Sequence, residues 1–149
     1  MNLDHYQFKI APDYHEYEFY SKGPKGIIKK IVRFTLVLLN GVPVYNLSFG
    51  NWNSATNCID DITISNNGDK DLVLLTVVAI VIDFTSVYPE ALIYAEGSTP
   101  SRTRLYQMGI NKMWNEAKVI FEIYGIKSDN MVELFGRNEN YEAFIAKRL

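Results

Sequence analysis

Regular alternation of apolar and polar side chains begins at His15-Glu-Tyr-Glu-Phe-Tyr20, where Tyr17 and Phe19 share one face. A period of two is the strand pattern. The glycines and proline of Ser21-Lys-Gly-Pro-Lys-Gly26 predict a turn. Ile27–Leu39 follows, long, apolar and β-branched, and predicts a central strand. Asn40-Gly41 is a two-residue hairpin signal. Beyond it Val44, Asn46 and Ser48 alternate with Tyr45, Leu47 and Phe49. Three sequential antiparallel strands are therefore expected over residues 14–50.

The pattern then changes period. Asn51–Asn57 reads as a polar loop around Trp52, and Ile59–Ser65 as a short fourth strand ahead of an Asn66-Asn67-Gly68 turn. Asp69 or Asp71 can cap a helix running to about Tyr88, before Pro89. Leu72–Ile82 is β-branched enough for a strand, but its length and acidic start favour a helix apolar all round. Ala91–Ala95 reads as a buried strand. In Gly97-Ser-Thr-Pro100, Thr99 is the expected N-cap and Pro100 the first-turn residue. That helix is expected to reach Ala117, with Tyr106, Ile110, Met113 and Ala117 on one face. Phe121–Ile126, Met131–Phe135 and Tyr141–Ile145 are strand candidates, the last two joined by Gly136–Asn140. The order βββ(β)-α-β-α-β-β predicts one α+β domain over residues 1–149. Its sheet would be mainly antiparallel and covered by two helices, with residues 1–13 peripheral.

Composition removes several classes. Of 149 residues, 48% are apolar, too many for a disordered chain. Cys58 is the only cysteine, so no intrachain disulfide forms; it reads as a buried structural residue. The longest apolar stretch, Leu72–Ile82, is shorter than a spanning helix, so no membrane partner is expected. The polar N-terminal decapeptide lacks a signal-peptide core, which predicts a cytoplasmic protein.

The net charge of −2 hides an asymmetry. Residues 19–59 hold five bases (Lys22, Lys25, Lys29, Lys30 and Arg33) and no acid, whereas 60–99 hold seven acids and one base. Two readings are open. The bases guard an edge strand against edge-to-edge pairing, or they contact nucleic acid, with Tyr20, Phe34, Tyr45, Phe49 and Trp52 as stacking partners. The favoured reading of these aromatics is a core under the helices.

The sharpest local feature is Gly97-Ser-Thr-Pro-Ser-Arg-Thr-Arg-Leu-Tyr106. A helix N-terminus offers unsatisfied N–H groups and a positive dipole end, and arginine adds a bidentate fork for phosphate or carboxylate. Ser98, Thr99 and Arg102 are the expected anion ligands. Arg104, about 200° further round the helix, is expected to pair with a carboxylate instead. The alternative is an ordinary capped helix whose arginines pair with Glu96, Glu90 or the C-terminal strand. The segment lacks the spacing of a Walker loop.

This decapeptide, with Phe84-Thr-x-x-Tyr88-Pro89 and Asn140-Tyr-Glu-Ala-Phe144, resembles a family of uncharacterised bacterial proteins carrying a domain of unknown function. The resemblance spans roughly residues 14–149. It implies no activity and no catalytic residue. The element order also resembles the ribonuclease-H-like fold, whose nucleases hold metal ions with carboxylates on the first strand, first helix and fourth strand. Glu18, Asp83 and Glu96 are the nearest candidates, and no further acid completes them. His5, His15 and their acidic neighbours supply too few converging donors for a metal site. No serine lies in a nucleophile-elbow context. No cofactor is implied.

The expectation is a small binding or regulatory module with a phosphate or nucleic-acid site at residues 98–104. The alternatives are a homo-oligomerising interaction domain that uses an exposed sheet edge, and a metal-dependent phosphodiester hydrolase with a degenerate acidic site.

Overall fold

A computed structural model describes residues 4–13, 15–60 and 67–149. It is an α+β protein with a mostly antiparallel, open sheet. The described residues form nine strands and three helices. They are β1 (Phe8–Ile10), β2 (Glu16–Gly23), β3 (Gly26–Leu39), β4 (Val42–Asn53), β5 (Cys58–Asp60), α1 (Lys70–Val87), β6 (Leu92–Ala95), α2 (Pro100–Lys112), α3 (Trp114–Ile120), β7 (Phe121–Ile126), β8 (Val132–Leu134) and β9 (Ala143–Arg148). Hydrogen-bonded neighbours run β1-β2-β3-β4-β6-β9-β7-β8, with β5 on β4. The chain divides into two compact units, Met1–Phe34 with Ser48–Val87, and Thr35–Leu47 with Tyr88–Leu149.

In the first unit β1, β2 and β3 pair antiparallel, with Tyr17 opposite Val32 and Glu16 opposite Arg33. Alternation sends Tyr17 and Phe19 inward, as the sequence pattern requires. The core is aromatic. Phe34 and Phe84 stack at 3.9 Å between ring centres, and Phe34 meets Tyr17 edge-on. Tyr17 Oη donates to Asp83 at 2.9 Å. The β-branched run is helical throughout α1, and Ile80 and Phe84 are fully buried there. Thr76 and Thr85 are buried too, their hydroxyls bonded to the carbonyls of Leu72 and Val81 on the preceding turn.

A buried polar network closes the β2–β3 turn. Asp69 accepts from Tyr6 Oη and Ser21 Oγ, both at 2.6 Å, and Asn67 bonds Ser21 Oγ, the Gly26 carbonyl and the Lys25 amide. A Cβ on Gly23 would stand 1.9 Å from the Asn67 carbonyl oxygen, so only glycine fits against that loop.

In the second unit β4 and β6 run parallel, Asn46 opposite Tyr94. β6, β9, β7 and β8 then pair antiparallel. Helix α3 packs on β7. Phe135, Tyr141 and Phe144 form an aromatic cluster, and Gly125 lies so close to the Tyr141 ring that a Cβ would sit 2.3 Å from it.

Several expectations change. Residues 8–10 form a short strand, β1, at one end of the strand order, paired with β2. The helix expected to reach Ala117 breaks at Met113, whose backbone (φ −107°, ψ 18°) leaves helical geometry while its side chain is buried. A new turn, α3, starts there. The last strand starts two residues later than alternation suggests and ends three residues later. Cys58 is exposed, not buried. The basic segment is no edge strand, because β2 and β4 flank β3. Of the expected fourth strand, Ile59 and Asp60 pair with β4 within β5, while residues 61–66 lie outside the described residues.

Candidate functional site

Local hydrogen bonds build the segment between β6 and α2. Thr99, in extended geometry, caps α2 by accepting from the Arg102 amide at 3.2 Å. Thr103 Oγ1 donates to the Thr99 carbonyl at 3.3 Å and accepts from the Gly97 amide at 3.0 Å. The strand end is thereby tied to the first helical turn. Gly97 is required by this approach: a Cβ would lie 2.3 Å from the Thr103 nitrogen and 2.7 Å from the Arg102 carbonyl carbon. Both are backbone atoms that cannot yield without moving the helix. Gly97→Ala is therefore expected to cost about 1–3 kcal/mol by chemical denaturation. A neutral result would show that α2 can shift freely.

Beside this turn lies a cleft of about 630 Å³, within the range of small-molecule sites. One wall is Glu96–Pro100 with Thr103, Arg104, Gln107, Met108 and Asn111. The other is residues 137–142. Two bonds tether that second wall to α2: Gln107 Nε2 to the Glu139 carbonyl at 2.5 Å, and Arg137 to the Asn111 carbonyl at 3.2 Å. Tyr141 Oη accepts from the Gly136 amide at 2.8 Å and donates to Glu133 at 2.9 Å. Lys127 bridges Glu139 at 3.0 Å and Glu133 at 3.5 Å. The Glu139 contact raises the Lys127 pKa.

The two arginines of the helix start part company. Arg102 is 6% exposed and absent from the cleft wall. Arg104 is exposed and lines the cleft. Among the described residues no carboxylate lies within ion-pair distance of it. Ser98 and Thr99 line the cleft with Arg104. Asn111 adds a buried Oδ1 with no hydrogen-bond partner among the described residues. The 3.6-residue period separates the two arginines correctly but does not say which points inward. Arg137, Gln107 and Asn111 have no signal in the sequence, where Gly136–Asn140 reads only as a connection.

Tyr94, on β6, donates to Glu96 at the cleft rim at 2.7 Å. Burial, and then this bond, push its phenol well above the usual tyrosine value. Because the native pKa is raised, the stabilisation is complete below about pH 10 and fades as pH rises above it. Ultraviolet titration should show a late-ionising phenol that Tyr94→Phe removes; an unchanged curve would place Tyr94 with the ordinary tyrosines.

The basic strand is largely neutralised. Lys29 pairs with Glu18 at 3.0 Å, which raises its pKa, and lies 5.6 Å from the Trp52 ring centre. Arg33 pairs with Glu16 at 2.6 Å. Lys30 is 4% exposed and donates to Asn51 Oδ1. Lys22 and Lys25, at the turn, stand exposed without such pairing among the described residues. Phe34 and Phe49 are core residues. The acids considered for metal binding are otherwise engaged: Glu18 by Lys29, Asp83 by Tyr17, Glu96 by Tyr94. Among the described residues no group of three or more His, Cys, Asp or Glu side chains could hold a metal ion. No helix among them is long and apolar enough to cross a membrane.

Fold and cleft thus define an α+β protein with a polar pocket at a strand-to-helix turn. The chain belongs to a family of unknown function, DUF6934, whose model matches residues 2–149. No curated protein and no solved structure matches it.

Proposed function

We propose that the protein is a binding module for a small phosphorylated or carboxylated ligand seated in the cleft between residues 96–111 and 137–142. One observation carries this reading: Arg104, without an ion-pair partner among the described residues, shares a concave wall with Ser98 and Thr99 at the start of α2. The positive dipole end of α2 favours an anion there, and the guanidinium supplies a bidentate fork. Arg104 takes the role that spacing suggests for Arg102. Nucleic acid along β3 is the weaker reading, because Glu16 and Glu18 already engage Arg33 and Lys29.

Titration of the ¹⁵N-labelled protein with inorganic phosphate and with a nucleoside monophosphate tests this. Amide shifts are expected at Ser98–Thr103 and Arg137–Glu142, larger for the nucleotide and absent in Arg104→Ala. No shifts with either probe at about 10 mM, a concentration that would half-fill even a very weak site, overturn the proposal.

A further inference from the structure

Among the described residues, the β3–β4 hairpin carries an open sheet edge. β2 accompanies β3 only from Gly26 to Arg33, and the Phe34 amide then bonds the His15 carbonyl at 2.8 Å. From Thr35 to Leu39, the edge of β3 away from β4 has no strand partner among the described residues. The three central side chains are exposed and apolar: Leu36 is 60% exposed, Leu38 73% and Val37 39%. Natural edges are guarded by lysine, proline, bulges or short length. Thr35–Leu39 contains neither lysine nor proline.

The missing charge also indicates the occupant. No charged residue occurs from Phe34 to Ile59. A foreign acidic or basic strand would find nothing there to recognise. A two-fold axis that sets the segment against itself is the arrangement in which any charge near the axis would meet its own kind. We infer that Thr35–Leu39 pairs antiparallel with the same segment of a second copy, centred on Val37, to form a dimer through a continuous sheet. In that register Val37 faces Val37, Leu36 faces Leu38 of the partner, and Thr35 faces Leu39. Leu36 and Leu38, on one face by alternation, form an apolar cluster with their symmetry mates.

Sedimentation equilibrium tests this on the full chain. The wild type is expected to reach about twice its 17.1 kDa mass as concentration rises. Leu36→Asp alone and Leu38→Lys alone should each remain monomeric with an unchanged far-ultraviolet circular dichroism spectrum, because both side chains point to solvent. Mixing the two variants should restore a dimer, since the carboxylate introduced in one copy then faces the ammonium introduced in the other across the axis. A wild type monomeric up to about 1 mM overturns the inference. So does either variant dimerising alone, a mixture that stays monomeric, or growth beyond a dimer, which would indicate head-to-tail pairing with another edge.

Discussion

Phe84→Ala is expected to destabilise the protein by about 3–5 kcal/mol, the range for deleting a large buried aromatic side chain. Phe84 is fully buried and stacks on Phe34 at 3.9 Å. Phe34 in turn meets Tyr17, whose hydroxyl bonds Asp83 one residue before Phe84 on α1. Truncation opens a cavity bounded by stiff rings and β-sheet backbone, which collapse poorly. For a chain of this length the loss corresponds to a fall in Tm of about 10 °C or more. Urea denaturation gives the magnitude, and amide exchange should quicken first along α1 and β2. A loss below about 1 kcal/mol would mean that the aromatic stack is not what holds α1 in place.

Arg102→Ala and Arg104→Ala should fail in opposite ways. Arg102 is almost wholly buried at the first turn of α2, and it is engaged within the protein. Removing so buried a side chain leaves a cavity behind, an expected loss of about 2–4 kcal/mol. Arg104 is exposed, so its removal should change stability by less than about 0.5 kcal/mol while abolishing the phosphate-dependent shifts at Ser98–Thr103. Melting curves and ligand titrations of both variants separate the two roles. If Arg102→Ala melts like the wild type and Arg104→Ala still binds, the assignment of the two arginines is reversed.

Much of the molecule is legible without coordinates where one local rule decides. The Asn40-Gly41 hairpin forms with both residues at positive φ, because that turn type demands it and these residues tolerate it. Thr99 and Pro100 start α2 because capping geometry involves only four consecutive residues. The α1 segment is helical despite its β-branched composition, since length and an acidic start outweigh propensity. Where local signals compete or are silent, the tertiary structure decides. Helix α2 ends at Lys112 with Met113 buried at the break, and no breaker residue marks the place.

The cleft belongs to the second kind. Its near wall is readable as a helix start, but its far wall comes from a loop some 26 residues beyond Asn111, brought in by the β7–β9 pairing and the Tyr141 contacts. Sequence spacing puts Arg102 and Arg104 on different faces of α2; only packing determines which face is the interior. The same holds for the charged strand. The amino-acid order shows five bases without an acid among them, yet the acids that neutralise two of them, Glu16 and Glu18, lie on the adjacent strand before that window begins. Local order determined the elements and their caps, because those depend on a few neighbouring dihedrals and hydrogen bonds. Burial, charge pairing and the cleft were decided by the tertiary structure, because each depends on which distant segments the sheet register brings face to face.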